Sequence, residues 1–270
     1  MTPDKGRFGA GAAASMRRIA RRLLLLSALI YGGLCAVLYA AQDSLLYFPT
    51  PIPRGATAET TMRLAVSGAE LNVAVRPHPG PAALIYFGGN AEDVFLTLPY
   101  FSEAFPEHAL FLLHYRGYGG SSGAPSEQAL HDDALALFDR VRESHPNIVV
   151  LGRSLGSGVA LRLAHRRPAR RLILITPYDS LVEVAAAHYP AFPIRWLMRD
   201  HYDSGRHAPE ITTPTLILAA ERDEVIPAAS TERLRARFAD GVATHVVLPG
   251  TGHNTISHND EYFATIRSAL

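Results

Sequence analysis

The chain has 270 residues, 48% of them hydrophobic and 19% charged, which suits one large folded domain with a substantial core and argues against extensive disorder. Its formal net charge of +1 leaves no field to draw nucleic acid or to steer acidic substrates. The single cysteine, Cys35, excludes an internal disulfide and a cysteine-based zinc site. No pattern for nucleotide, metal or other cofactor binding is present, so no cofactor is expected.

The first element is a charge-free run over residues 23–41, LLLLSALIYGGLCAVLYAA. At 1.5 Å per residue it reaches roughly 28 Å, close to the hydrocarbon thickness of a bilayer. Arg17, Arg18, Arg21 and Arg22 precede it, and by the positive-inside rule they retain the N-terminus in the cytoplasm. The expectation is a single-pass anchor with a cytoplasmic basic segment 1–22 and everything after residue 41 on the outer side. Tyr39, Tyr47 and Phe48 suit the far interface. A cleaved signal peptide fits less well, because the run is long and Leu38 or Tyr39 would occupy the position three before the cut. Pro49, Pro51, Pro53 and Gly55 mark a connector over 42–60, and the domain follows from 61 to 270.

Within that domain, short apolar runs alternate with helix-length amphipathic stretches, which predicts a mostly parallel sheet wrapped by helices. A hairpin is expected from strands 62–66 and 71–76. Further strands follow at 83–87, 110–115, 148–151, 172–176, 215–219 and 245–248. Helices are expected at 92–104, 126–144, 155–165, 227–239 and 260–269. Residues 188–209, rich in Pro, aromatic residues and Arg, are either a small cap over a site or a plain connecting helix and loop.

Gly152-Arg153-Ser154-Leu155-Gly156 is a G-x-S-x-G sequence, weak alone but here set between a strand run, NIVVL, and a small-residue helix, LGSGVALRLAH. A strand, a sharp turn and a helix make a nucleophile elbow. Such a serine needs a base, and the base needs an acid to orient it, in the chain order Ser, Asp, His. Asp223 follows the strand at 215–219, and His253 lies in a glycine-flanked loop after the strand at 245–248. Asp179 and His258 are the nearest rivals, but each lacks the order or the flank. The amide of Leu155, at the start of a helix, is one expected oxyanion donor. The second should come from Phe87-Gly88-Gly89-Asn90, with Asn90 preferred and Gly89 the alternative.

Taken together, FGGNAED, HYRGYGGSSGAPSE, GRSLGSG, TPYDS, AERDEVIP and GTGHN resemble the Bem46-like branch of the α/β hydrolases, and QDSLLYFPTP after the anchor fits as well. The resemblance covers essentially the whole chain after the first forty residues. It implies an α/β-hydrolase fold, Ser154, Asp223 and His253 as a catalytic triad, and Asn90 and Leu155 as oxyanion donors. An anchor that places the site at the outer membrane face makes a small-molecule, lipid-like or acylated substrate the expectation. Two departures, His114 before Tyr115-Arg116-Gly117 and Gly88 where many relatives have histidine, would alter the pocket. The branch has no uniform substrate: some members resemble protein thioesterases, others are called peptidases. An acyl esterase or thioesterase is the leading expectation. A peptidase would need carboxylates to grip a free amino terminus, and Glu92 and Asp93 are the candidates, although a solvated helix N-terminus explains them equally. A catalytically silent membrane-anchored scaffold is the reading from another class.

Overall fold

The computed structural model describes residues 7–53, 55, 57 and 59–270. The first six residues of the basic segment and three positions of the connector therefore lie outside the described residues.

Helix α1 (Arg7–Leu46) is 40 residues long and contains the whole apolar run. Its stretch Ser15–Leu46 is long and apolar enough to cross a membrane. It continues past residue 41 through Gln42-Asp43-Ser44-Leu45-Leu46, residues expected to begin the connector.

An eight-stranded sheet follows: β1 (Thr61–Val66), β2 (Ala69–Arg76), β3 (Ala82–Phe87), β4 (Ala109–Leu113), β5 (Asn147–Arg153), β6 (Arg171–Ile175), β7 (Thr215–Ala220) and β8 (Ala243–Leu248). Their spatial order is β1-β2-β4-β3-β5-β6-β7-β8. The β1–β2 hairpin turns at Gly68, whose φ of +75° only glycine adopts easily, and β2 pairs antiparallel with β4. Every other pairing is parallel. β4 stops at Leu113, two residues short of the expected end, because His114 and Tyr115 lead into a loop with Gly117, Gly119 and Gly120 at positive φ.

Side chains alternate across the buried strands and build two cores. In β3, Ala83, Ile85 and Phe87 face one layer, while Leu84 and Tyr86 face the other. The first layer is covered by α3 (Glu127–Arg142) and α4 (Leu155–Arg166), the second by α2 (Val94–Ala104) and α9 (Glu261–Ser268). Helix starts fall slightly inside the expected ones because the capping residues stay extended. Asp93 accepts from Phe95 N–H ahead of α2, and Ser126 accepts from Ala129 N–H ahead of α3.

After β6 come α5 (Leu181–His188) and two single-turn helices, α6 (Ile194–Leu197) and α7 (Ser204–His207), before β7; α8 (Ala228–Arg235) precedes β8. From His188 on, the stretch expected as either cap or connector is an irregular segment containing α6 and α7 that folds back onto α1, and none of its residues is among the walls of the cavity at Ser154.

Candidate active site

Three loops meet at the carboxyl ends of β5, β7 and β8. Ser154 stands between β5 and α4 with φ 50° and ψ −119°, a strained conformation for a residue with a Cβ. Its N–H donates to Ile175 O at 2.9 Å, and its own carbonyl accepts from Ser157 N–H and Oγ–H at 2.9 and 2.6 Å. The flanking glycines are required by close backbone approach. A Cβ on Gly152 would lie 2.2 Å from Gly156 O, and one on Gly156 would lie 2.1 Å from Phe87 O. Only without those atoms can the start of α4 settle against β3 and β5 and leave the serine hydroxyl clear.

His253 Nε2 is 2.9 Å from Ser154 Oγ, and His253 Nδ1 is 2.9 Å from one Asp223 oxygen and 3.0 Å from the other. An ionised carboxylate only accepts, so the proton belongs on Nδ1, and Nε2 is left to accept from the serine hydroxyl. The Asp223 carboxylate also accepts the N–H groups of Val225 and Ile226 at 2.9 and 2.7 Å, which fixes its rotamer. The His253 and Asp223 side chains are only 6% and 8% exposed. The rivals lie elsewhere. Asp179 pairs with Arg233 at 2.7 Å and accepts from Ser230 Oγ–H, while His258 is exposed in a short 3-10 turn.

The cavity at Ser154 has a volume of about 330 Å³, and Gly89, Asn90, Leu155, Tyr178 and His253 are among its walls. Gly89 N–H donates to Glu92 Oε2 at 3.0 Å. Among the described residues no acceptor takes the N–H of Asn90 or of Leu155. Asn90 and Leu155, the donors expected from the sequence, are thus among the cavity's amides without an acceptor.

Glu92 was expected either to grip a substrate amine or to face solvent, and it does neither. Its carboxylate accepts from Tyr86 O–H, Thr97 O–H, Gly89 N–H and Arg153 NH1 at 2.8–3.2 Å. Asp93 is committed to capping α2. Arg153 NH2 in turn donates to His253 O at 3.3 Å, so one ion pair ties together the loops after β3, β5 and β8. Glu224 was not anticipated either; its carboxylate accepts His253 N–H at 3.1 Å and braces the histidine loop. The Glu92–Arg153, Arg153–His253 and Glu224–His253 contacts join residues 61, 100 and 29 positions apart and leave no local signal. His114, expected to reshape the pocket, is buried behind the glycine loop instead: a Cβ on Gly119 would fall 2.1 Å from its Nδ1.

A mostly parallel sheet in this order, with a Ser-His-Asp relay on the loops beyond its strands, defines the α/β-hydrolase architecture. Comparisons with known proteins agree. Residues 104–205 match the family model described as serine aminopeptidase, S33, and residues 195–265 that described as TAP-like protein. An uncharacterized protein of Mycobacterium tuberculosis is 37% identical over 245 residues, 84% of this chain and 85% of that one. The lysophosphatidylserine lipase ABHD12 of mouse is 36% identical over 133 residues, 42% of this chain and 33% of that one. An esterase of Pyrococcus furiosus shares the fold with a TM-score of 0.68 at 12% identity, covering 83% of this chain and 96% of that one. The chain belongs to the α/β-hydrolase superfamily.

Proposed function

We propose that the protein is a serine hydrolase that cleaves acyl ester or thioester bonds through an acyl-enzyme on Ser154, held at a membrane surface by α1. The observation that carries this reading is the unbroken relay from Asp223 through His253 to the Ser154 hydroxyl. Ser154 Oγ attacks the acyl carbon while its proton passes to His253 Nε2. The imidazolium that forms is stabilised by Asp223. The carbonyl oxygen gains negative charge as the tetrahedral centre forms, and the N–H groups of Asn90 and Leu155 donate to it. Removing one such donor typically slows an enzyme about 100- to 1000-fold. The carbon–oxygen or carbon–sulfur bond to the leaving group then breaks, and the proton on Nε2 leaves with that group. Water, deprotonated by the same nitrogen, repeats the attack, frees the acid and returns the proton to Ser154.

Three further features complete the proposal. Arg17, Arg18, Arg21 and Arg22 keep the N-terminal segment 1–22 cytoplasmic, residues 23–41 span the bilayer, and 42–60 connect to an outer hydrolase domain over 61–270. The esterase and lipase names among the similar proteins support a small-molecule or lipid-like substrate, whereas the family model described as serine aminopeptidase supports a peptide. The four partners of Glu92 speak against the peptidase reading, since its carboxylate is already engaged.

Labelling of the full chain in membranes with a fluorophosphonate probe tests the mechanism. Strong labelling of wild type, lost in both Ser154→Ala and His253→Ala, is the expected result. Folded wild-type protein that fails to label would sink the mechanism and favour a silent scaffold.

A further inference from the structure

From Tyr31, midway along its apolar run, to Leu46 at its end, α1 is docked on the domain. Tyr31 donates its hydroxyl to Ala191 O at 2.9 Å and stacks parallel to Phe192, with ring centroids 6.0 Å apart. Gln42 bonds Leu197 O and Arg199 N–H, Asp43 pairs with Arg199 at 2.6 Å, and Tyr47 O–H reaches Asp200 at 2.6 Å. Leu46 O, at the end of the helix, accepts from Asn90 Nδ2 at 3.0 Å.

Between α1 and the segment after α5 lies a groove of about 370 Å³. Leu38, Leu45 and Leu46 wall one side, and Leu181, Ala185 and Leu197 wall the other. Its polar members, Gln42, Asp43 and Asp200, are occupied by the bonds just described, so the surface left to a ligand is apolar. Two of its walls, Leu46 and Leu181, also line the cavity at Ser154. The groove thus adjoins the site at one end, across Leu46 and Leu181, and meets the apolar run of α1 at the other. Leu38 lies within that run, roughly 5 Å inside its outer limit at 1.5 Å per residue. Trp196, 87% exposed, and Tyr189 stand on the same segment as the groove, where aromatic side chains suit a membrane interface.

We infer that this groove is an acyl-chain site: it takes the fatty acyl chain of a lipid ester that enters sideways from the outer leaflet and presents its carbonyl to Ser154. The inference rests on the proposed spanning of α1 and on Ser154 as nucleophile. A chain in the groove exchanges lipid contacts for leucine contacts at little cost. A water-soluble ester reaches Ser154 through the open cavity and gains nothing from the groove. The specificity of the site for long chains therefore resides partly in its own membrane helix.

Two readouts test this on the full chain in phosphatidylcholine vesicles. In Ser154→Ala protein, a palmitoyl lysophosphatidylcholine with a diazirine on its chain is photolysed and the adducts are mapped. Adducts on residues 38–46 and 181–197, diminished by Ala185→Trp, are expected. Adducts confined to residues 23–37, or unchanged by the tryptophan, would overturn the inference. In protein with Ser154 intact, the ratio of kcat/KM for a hexadecanoyl ester to that for an acetyl ester should fall about tenfold with Ala185→Trp, a discrimination within reach of one reshaped apolar pocket. An unchanged ratio would overturn it. Leu45→Trp, at a position 59% exposed, narrows the groove without crowding the core and serves if Ala185→Trp misfolds. Groove adducts with no hydrolysis of any ester would uphold the chain site and remove the hydrolase mechanism; hydrolysis with adducts elsewhere would do the reverse.

Discussion

Glu92 Oε2 sits 3.2 Å from Arg153 NH1, and through that pair the loop carrying Asn90 is fastened to the turn carrying Ser154. The two side chains are 12% and 17% exposed, so neither charge is well solvated alone. Glu92→Ala strands the guanidinium and frees Gly89 N–H, a change expected to cost about 3 kcal/mol. Thermal unfolding of the full chain in detergent should show a clearly lowered Tm. An unchanged Tm would mean that the pair contributes nothing.

The backbone at Ser154 gives a second prediction. Glycine tolerates a φ of 50° and alanine does not, so Ser154→Gly should unfold at a higher temperature than Ser154→Ala by about 1 kcal/mol of stability. Both variants lack the hydroxyl, and the comparison isolates the strain. Equal midpoints would show that the turn is unstrained.

Acid should weaken the fold through His131. It lies on α3 with its ring edge toward Tyr202 at 5.7 Å, and its Nε2 is buried without a hydrogen-bond partner among the described residues. Burial, aided by the charges of Arg162 and His207, pushes its pKa down to about 4 from 6.5. The unfolded chain therefore binds a proton that the folded chain refuses. The stability this neutral histidine contributes is complete above pH 6.5 and is lost as the pH falls toward 4, on the order of 3 kcal/mol in all. His131→Phe should flatten the fall in Tm between pH 6.5 and 4. A slope identical to wild type would refute the assignment.

Much of this architecture is legible in the sequence because it is encoded locally. Ser154, Asp223 and His253 each follow an apolar strand run, and Gly152 and Gly156 advertise the turn between NIVVL and LGSGVALRLAH. Asn90 was preferred over Gly89 from its place after two glycines, and the carboxylate that occupies Gly89 N–H gives that preference a physical reason. The bracing by Glu92, Arg153 and Glu224 was not legible, nor was the docking of Tyr31 and Gln42 onto the segment after α5. Those bonds span 29 to 160 positions, and no spacing or periodicity records them.

The hydrogen bond from Asn90 Nδ2 to Leu46 O links the end of α1 to the loop proposed to hold the oxyanion. A spanning helix answers a mismatch between its apolar length and the hydrocarbon thickness by tilting. Turnover should then vary when the chain is reconstituted in bilayers of short, matched and long acyl chains with a soluble acetyl ester as substrate. Equal rates in all three would show that the bond yields before the loop moves. Different rates would make the enzyme a gauge of the thickness of the membrane it occupies.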